Sequence, residues 1–315
     1  MGLNAAALRG TTRHALLAVD DENGYRMEVT GLPLPMPFTP PLMLAEVQAT
    51  FAGRYALDGT MQAGGQGAVF KARVLPNGAT VALKIYHMDQ LEERLAREIN
   101  ALKAIRGSTL VELHEAGTCT IRGEQCRFLA TTFIEGRALD VVLVAEGAQP
   151  LERVARIGHD VALAIEQIWK ARIVHRDIKP DNVMLTPTGG AVLIDLGVAR
   201  YIDLASLTTT GKTWGTAGYF SPEQARGQPL TCKSDVFALG VLLQECILGR
   251  HPTARRQELL MNGSLKTDGL RNALPRFLVH LIDEMVHKSA IRRPLPDKVA
   301  RDLATLAGGS GKGAH

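Results

Sequence analysis

Residues 235–248, which read DVFALGVLLQECIL, are apolar on almost every face of a helix. A helix of this kind is typical of the interior of a larger domain, because no face of it suits water. Gly249 follows directly, and glycine commonly ends a helix because it adopts the left-handed backbone conformation at low cost. The segment therefore predicts a buried helix that ends at Gly249.

The rest of the second half of the chain also follows a helical pattern. One stretch carries apolar residues at the spacing of a single helix face. That face consists of Val154, Ile157, Val161, Ile165 and Ile168. Further helices are predicted near residues 275–288 and 295–307. The second half is therefore expected to be the larger, helical part of the protein.

The first half of the chain has the pattern of a β-sheet. Three short runs have strand character and are separated by Gly, Asn and Pro turn signals. They are YALDGTMQ (55–62), GAVFKARV (67–74) and ATVALKIY (79–86). Two more strands are predicted near residues 109–116 and 126–134, after a helix whose apolar stripe covers residues 91–105. We therefore expect an α+β protein, with a small antiparallel sheet and one helix followed by a larger helical half.

The two ends of the chain differ from this central region. Residues 31–41, GLPLPMPFTPP, are too rich in proline for a helix or a central strand. We therefore predict an N-terminal extension with a proline-rich linker over residues 1–52 and one main domain over residues 53–307. The tail, residues 308–315, reads GGSGKGAH and is expected to be flexible.

Composition limits the class of partner. Hydrophobic residues make up 46% of the chain and charged residues 22%, which is ordinary for a soluble globular protein. The net charge of +4 is small and no Lys/Arg-dense stripe is present, so no nucleic-acid partner is expected. Charges interrupt the apolar runs, so no membrane span is expected. The four cysteines lack metal-ligand spacing and fit reduced thiols in a cytoplasmic protein.

The loop VHRDIKPDNVML, residues 174–185, concentrates reactive side chains between two apolar segments. Asp177 could orient an attacking hydroxyl or accept its proton, and Lys179 could stabilise charge on a transferred group. Asn182 offers an oxygen ligand for a hard cation. Asp195 ends the apolar run AVLID before a Leu-Gly turn, where a carboxylate suits Mg²⁺. Taken singly, the sequence DLG around Asp195 also fits an ordinary turn.

Two features of the first half point to phosphate binding. The stretch MQAGGQGAVFKA, residues 61–72, places several glycines between two strands, where bare backbone N–H groups suit phosphate oxygens. Lys84 lies among apolar residues of a predicted strand, and a buried lysine needs an acidic partner such as Glu98 on the following helix. Alternatively, the stretch is an ordinary glycine-rich hairpin, Lys84 reaches solvent at a sheet edge and Glu98 is a solvated helix charge.

Together and in this order, these motifs resemble the eukaryotic-like, or Hanks-type, protein kinase domain, and in particular bacterial serine/threonine kinases. The resemblance covers residues 54–306 and implies a bilobal fold, with an N-lobe of about 53–135 and a C-lobe of about 136–307. HRDIKPDN matches the catalytic loop of the family closely. VALK is similar to its strand-lysine motif, DLG replaces the more common DFG, and GTAGYFSPEQARG and AIRRP are similar to its later motifs. Gln62 departs from the first glycine of the nucleotide loop.

The resemblance implies transfer of the γ-phosphoryl group of ATP to serine and threonine hydroxyls of protein substrates, with Mg²⁺ or Mn²⁺ as the metal. Lys84, held by Glu98, would contact the α- and β-phosphates. Asp177 would orient the substrate hydroxyl, and Lys179 would neutralise charge on the γ-phosphoryl group. The implied metal ligands are Asn182 and Asp195. The implied nucleotide-binding residues are Gly64, Gly67, Val69, Ala82, Lys84, Thr132 and Ile134.

The same resemblance extends to regulation. Residues 206–216, SLTTTGKTWGT, would belong to an activation segment. Arg176 and Arg200 would face this segment, and a phosphate between them would offset their mutual repulsion through charge-assisted bonds. We therefore expect autophosphorylation within a transient homodimer, with activation as the result. The expected acceptor residues are Thr208, Thr209 and Thr210.

Two other functions fit parts of the pattern. A pseudokinase scaffold would bind partners without catalysis, although every residue with a chemical role is present. A small-molecule phosphotransferase of related fold can use a His-x-Asp loop, although GTAGYFSPEQARG would have no role there. The sequence leaves open the protein substrate, the role of residues 1–52, the oligomeric state and whether the chain is exported to another cell.

Overall fold

The protein, as seen in a computed structural model, is described over residues 41–64, 67–76, 78–87, 99, 103, 105–195, 218–261 and 273–307. Its first elements are α1 (Leu44–Thr50), β1 (Tyr55–Gly64), β2 (Gly67–Val74), β3 (Thr80–His87), β4 (Leu113–Ile121) and β5 (Glu124–Thr132). The strands form one antiparallel sheet, as the sequence predicts, and their order in it is β1-β2-β3-β5-β4. Most of the helix predicted over residues 91–105 lies outside the described residues.

The two faces of this sheet differ because successive side chains of a strand point to opposite sides. In β3, Val81, Leu83 and Ile85 are fully buried. They belong to an apolar cluster that fills one face of the sheet. Ala82 and Lys84 alternate with them and therefore lie on the other face, where Lys84 reaches a residue of the second lobe.

Helix α1 packs on the apolar face of the sheet. Its Val47 and the following Phe51 are completely buried in the cluster. The ring of Phe51 meets that of Phe128 edge-on, with the ring centroids 5.0 Å apart. The sequence pattern predicts an extension over residues 1–52 and excludes a helix only over residues 31–41, so it does not identify α1. A seven-residue helix has little stability of its own, so packing on the sheet is what stabilises α1.

The second part of the chain is mainly helical, as predicted. Its strands, which form a small antiparallel sheet, are β6 (Arg137–Ala138), β7 (Val183–Leu185) and β8 (Ala191–Leu193). Its helices are α2 (Leu139–Glu146), α3 (Leu151–Lys170), α4 (Pro222–Ala225), α5 (Cys232–Leu248), α6 (Gln257–Met261), α7 (Arg276–Met285) and α8 (Pro296–Ala307). Short 3-10 turns cover Pro180–Asn182 and Ala290–Arg292.

Helix α5 is the buried helix that the sequence predicts. Every residue of α5 is buried except Lys233 and Leu248, and the helix packs against α3 and α7. Gly249 ends it with φ at +68°, a conformation that residues with a side chain rarely adopt. A Cβ at Gly249 would lie only 2.4 Å from the backbone nitrogen of Ala148, so the close approach of these two segments also requires glycine.

Backbone hydrogen bonds fasten the N-lobe to the C-lobe. Val111 N donates to Leu193 O over 3.0 Å, and Leu193 N donates to Thr109 O over 2.9 Å. These bonds attach the segment before β4 to strand β8, so the cleft between the lobes is bounded by the sheet on one side and by β7 and β8 on the other. None of the helices in the described part of the chain has the length and hydrophobicity of a membrane span.

Candidate active site

The loop of residues 174–182 is anchored by the first turn of α5. Asp235 is buried there, and its carboxylate accepts hydrogen bonds from His175 N and Arg176 N, each over 2.8 Å. Burial raises the pKa of the Asp235 carboxyl, although His175 and the two N–H groups lower it. Gln224 Nε2 donates to Arg176 O over 2.9 Å, so the loop is also held from α4. The loop backbone is therefore fixed at the two residues that precede Asp177.

Asp177 and Asn182 meet across the loop. Asn182 Nδ2 donates to the backbone oxygen of Asp177 over 2.7 Å and to its carboxylate Oδ2 over 2.8 Å. Both side chains are buried, at 7% and 5% exposure. Lys179 Nζ lies 3.5 Å from the same carboxylate oxygen. The 3-10 turn at Pro180 returns the chain so that these groups converge, which orients the Asp177 carboxylate before any substrate arrives.

Lys84 and Asp195 bring the two lobes together. Lys84 Nζ donates to Asp195 Oδ2 over 2.8 Å, although the two residues are 111 positions apart. Asp195 has φ at +56°, which is uncommon for a residue with a side chain. Ile194 N donates to Asn182 O over 2.8 Å, so Asp195 also lies next to the loop. The partner predicted for Lys84, Glu98, lies outside the described residues.

Asn182 and Asp195 fit a hard divalent cation. The amide nitrogen of Asn182 is used by Asp177, so its oxygen Oδ1 is the atom that can coordinate a metal. The Asp195 side chain is 32% exposed, which leaves it accessible from the cleft. Two oxygen ligands from the protein suit Mg²⁺ or Mn²⁺, because Mg²⁺ completes its coordination with phosphate oxygens and water.

The face of the sheet that carries Lys84 also carries other residues implied by the resemblance. Val69 lies directly opposite Lys84, and Ala82 lies opposite Thr131, so these side chains share one face. Lys71 also lies opposite Ala82, and its ammonium is 4.3 Å from the centre of the Phe133 ring. The sheet face and the connection between the lobes therefore meet at one edge of the cleft.

The remaining nucleotide-binding residues lie at the two ends of this face. Gly64 and Gly67 pair at the turn between β1 and β2, and the two residues between them lie outside the described part. Thr132 N donates to Glu112 O over 2.9 Å at the end of β5. Ile134 follows and packs against the core of the C-lobe. A planar ligand on this face would therefore lie between the end of β5 on one side and the Gly64–Gly67 pair of β1 and β2 on the other.

A buried ion pair fixes helix α4, which follows Gly218 and Tyr219 in the described part of the chain. The guanidinium of Arg293, which has no exposed surface in its side chain, contacts the Glu223 carboxylate at 2.6 Å and 2.8 Å. Ser234 Oγ donates to the same carboxylate over 2.7 Å. Burial alone would raise the pKa of Glu223. The hydrogen bonds from Arg293 and Ser234 outweigh burial and lower this pKa below its ordinary value. This pair attaches α4 to the body of the C-lobe.

Sequence reasoning and structure differ most in the supporting residues. Glu98, Arg200 and Thr208–Thr210 lie outside the described residues, so their expected roles stay predictions. The role of Asp235 was missed, although a carboxylate in an otherwise apolar helix is itself a signal of a buried polar contact. Gln224 carries no comparable signal, because glutamine is ordinary at the surface of a short helix.

Comparison with known proteins agrees with this geometry. A family model described as the protein kinase domain matches residues 55–302. The probable serine/threonine-protein kinase PknB of Corynebacterium glutamicum is 34% identical over 208 residues, which cover 64% of this chain and 32% of that protein. Serine/threonine-protein kinase PknA of Mycobacterium tuberculosis is 32% identical over 218 residues, 67% of this chain and 51% of that protein.

A third relative extends the match further along the chain. The probable serine/threonine-protein kinase CPE1738 of Clostridium perfringens is 28% identical over 251 residues, which cover 76% of this chain and 36% of that protein. The chain thus spans about a third to a half of the length of these curated relatives.

Proposed function

Because the chain belongs to the protein kinase family, we propose that it is a bacterial Hanks-type serine/threonine kinase that transfers the γ-phosphoryl group of ATP to hydroxyls of protein substrates. One observation carries the proposal. Lys84, Asp177 and Asp195 come from three separate segments and converge in one cleft, together with the amide of Asn182. A scaffold that only binds partners would not need the Lys84–Asp195 pair next to the Asp177–Asn182 pair, to which the bond from Ile194 N to Asn182 O joins it.

The residues of the loop would carry the transfer itself. The bond between the γ-phosphorus and the ADP oxygen breaks, and a bond from that phosphorus to the substrate hydroxyl oxygen forms. Asp177 would hold the hydroxyl in line and accept its proton. Asn182 supports this role because its amide fixes the Asp177 carboxylate. Lys179, 3.5 Å from that carboxylate, would stabilise negative charge on the transferred group.

The residues between the lobes would hold the nucleotide and the metal. Lys84 would contact the α- and β-phosphates, and its ion pair with Asp195 keeps both side chains in the cleft. Asn182 and Asp195 would hold Mg²⁺ or Mn²⁺, which neutralises charge on phosphate oxygens when it is bound. Val69 and Ala82 offer an apolar surface for the adenine on the same sheet face.

Other parts of the proposal rest on the resemblance. Autophosphorylation at Thr208–Thr210, a transient homodimer for that reaction and a cytoplasmic location all stay predictions. We also propose one kinase domain that ends near residue 307. The burial of Leu42, Val47 and Phe51 against the sheet supports a start for this unit near residue 42 rather than at residue 53.

The central test is the substitution Asp177→Asn. It should lower transfer of ³²P from ATP to a generic protein substrate by roughly a thousandfold, because the carboxylate that accepts the hydroxyl proton is lost. Circular dichroism should show an unchanged fold. Asp302→Asn, on α8, removes a carboxylate remote from the loop and should leave the rate within about twofold of the wild type. Near-normal transfer by a folded Asp177→Asn variant would refute the proposal.

The metal requirement has a separate test. Transfer should stop in excess EDTA and return on addition of Mg²⁺ or Mn²⁺, because the implied ligands are hard oxygens. Asn182→Ala should raise the Mg²⁺ concentration needed for half-maximal binding of a fluorescent ATP analogue, which can be read without turnover. Undiminished transfer in EDTA would contradict this assignment.

A further inference from the structure

Residues 250–256, RHPTARR, join α5 to α6 and are named here the arginine loop. Its three arginines, Arg250, Arg255 and Arg256, are all exposed. Among the described residues, none of their guanidinium groups forms an ion pair or a hydrogen bond. The loop contains no carboxylate, so it presents three positive charges on one short segment of the C-lobe surface.

A buried histidine gives the arginine loop a fixed shape. His251 Nδ1 accepts hydrogen bonds from Thr253 N over 3.2 Å and from Arg255 N over 2.9 Å. His251 Nε2 donates to Gly218 O over 2.8 Å, which is the tautomer that the two N–H donors on Nδ1 require. Burial lowers the pKa of His251, and the neighbouring Arg255 lowers it further, so the neutral ring that makes these bonds is favoured.

The backbone of the arginine loop is held in an unusual conformation. Ala254 and Arg255 have φ at +50° and +65°, in the left-handed region that residues with a side chain seldom occupy. Two such residues in succession persist only where surrounding contacts impose them, and His251 supplies those contacts. The conformation therefore places the Arg255 side chain at a definite position on the surface.

That position adjoins the region where a substrate hydroxyl would be presented. A Cβ built on Gly218 would lie 2.9 Å from Arg255 Cα, so the two segments are in direct contact. The Arg255 guanidinium lies 5.8 Å from the centre of the Tyr219 ring. The chain continues from Tyr219 into α4, where Gln224 Nε2 donates to Arg176 O in the catalytic loop over 2.9 Å. The arginine loop and the catalytic loop therefore lie along the same rim of the C-lobe.

Within residues 41–195, 218–261 and 273–307, as far as they are described, the carboxylates near this rim only partly offset its positive charge. Glu245 is buried, and its carboxyl is hydrogen-bonded to the Tyr219 hydroxyl. Burial raises the pKa of Glu245 and so disfavours the charged carboxylate. The hydrogen bond from Tyr219 and the charge of Arg255 act in the opposite direction and lower that pKa. Asp181 is exposed and lies in the turn that also carries Lys179. Glu258 is also exposed, two residues after Arg256, so residues 250–258 have three arginines and one glutamate and a net charge of +2 with His251 neutral.

We propose that the arginine loop recognises acidic side chains that flank the phosphorylated serine or threonine of the substrate, with Arg255 as the contact closest to the site. The inference rests on the proposed kinase function and adds a substrate class to it. Guanidinium groups suit carboxylates because they form charge-assisted, often bidentate hydrogen bonds. An acidic segment would also be attracted to the rim before it binds, and salt would weaken that attraction.

The test compares three peptides with one central threonine each. One carries glutamates on both sides of the threonine, the second has glutamine at those positions and the third has arginine. The wild type should phosphorylate the glutamate peptide with a kcat/KM about tenfold above that for the glutamine peptide, and should use the arginine peptide least. Raising the salt concentration to about 1 M should remove most of this difference, because exposed charges are then screened.

Charge reversal in the loop should invert this preference. Arg255→Glu and Arg256→Glu should each lower kcat/KM for the glutamate peptide by about tenfold, raise it for the arginine peptide and leave the glutamine peptide within about twofold. Both side chains are exposed, but Arg255→Glu also removes the guanidinium beside the Tyr219 ring, so Arg256→Glu is the variant that changes charge alone. Arg276→Glu, an exposed arginine at the start of α7, is the matched control and should leave all three values unchanged.

The outcomes separate this inference from the proposed function. If the wild type phosphorylates all three peptides equally, or if Arg255→Glu and Arg276→Glu behave alike, the arginine loop does not select the substrate. If no peptide or protein is phosphorylated by the wild type, the kinase proposal fails and this inference fails with it.

Discussion

The two lobes hold their charged side chains in different ways. In the C-lobe, Arg293 and Glu223 form a pair from which water is excluded, with side-chain exposures of 0% and 10%. In the N-lobe, Arg122 and Glu46 pair at the surface, and about a third of each side chain remains exposed. A buried charge that loses its partner is strongly destabilising, whereas water replaces a surface partner at little cost. We infer that a buried ion pair holds α4 on the C-lobe, whereas apolar packing holds α1 on the sheet of the N-lobe.

The largest loss of stability is expected for Arg293→Ala, which tests the role of the buried pair. It leaves the Glu223 carboxylate buried without its cation, and such a loss should lower the free energy of unfolding by about 3–5 kcal/mol. Urea denaturation followed by circular dichroism measures this. Arg292→Ala changes the exposed neighbour in the same turn and should cost less than about 0.5 kcal/mol. Similar losses for the two variants would mean that the buried pair has no special importance.

The N-lobe counterpart is Phe51→Ala. Phe51 is completely buried between α1 and the sheet, and removing its ring should lower the free energy of unfolding by about 3 kcal/mol through lost contacts and a cavity. Met43→Ala truncates a side chain of the same segment that is 64% exposed, so it should have little effect. A small effect of Phe51→Ala would show that α1 is not an integral part of the N-lobe.

Parts of both lobes can be predicted from the sequence where the signal is local. The sheet and the buried helix α5 follow from local patterns, because alternation marks a strand and an all-apolar run marks a core helix. The catalytic loop is predictable for a similar reason. Asp177, Lys179 and Asn182 lie within six residues, so their chemistry can be recognised from one short motif.

Contacts between distant residues were beyond prediction from these patterns. The Lys84–Asp195 pair joins positions 111 residues apart, and the anchoring of His175 by Asp235 spans 60 positions. Glu98 is the expected partner of Lys84 because it lies on the following predicted helix next to the apolar stripe, and this expectation stays a prediction since Glu98 lies outside the described residues. Helix α1 was missed because its seven residues depend on tertiary packing and not on propensity.

The anchoring of the catalytic loop offers a third, intermediate prediction. Asp235→Asn keeps the size of the side chain but replaces one acceptor oxygen by a donor that faces a backbone N–H group. It should lower the free energy of unfolding by about 1–3 kcal/mol. Because the same bonds position Asp177, kcat should also fall by at least about tenfold, whereas the KM for ATP should change little since Lys84 is untouched. A raised KM for ATP with normal kcat would contradict this division of roles.

The smallest effect is expected at the surface pair of the N-lobe, with Glu46→Gln. Arg122 donates to both carboxylate oxygens, over 2.8 Å and 2.7 Å, and Arg122 also contacts Pro41 O, so the pair lies where the chain enters α1. Packing by Phe51 should nevertheless keep α1 in place. We expect Tm to fall by no more than about 2 °C at neutral pH, and a double variant with Arg122→Gln to lose little more than either single variant.

The pH dependence of the Tm of Glu46→Gln shows whether the Glu46 carboxylate stabilises or destabilises the folded state. The hydrogen bonds from Arg122 lower the pKa of Glu46 from 4.5 to about 2, so the folded state favours the carboxylate. The contribution of Glu46 should therefore be complete above pH 4.5 and decline as the pH falls toward 2. The difference in Tm between the wild type and Glu46→Gln should stay constant from pH 7 to 4.5 and shrink below it. A loss of Tm as large as that of Phe51→Ala would instead make the surface pair, and not packing, the element that holds α1 on the sheet.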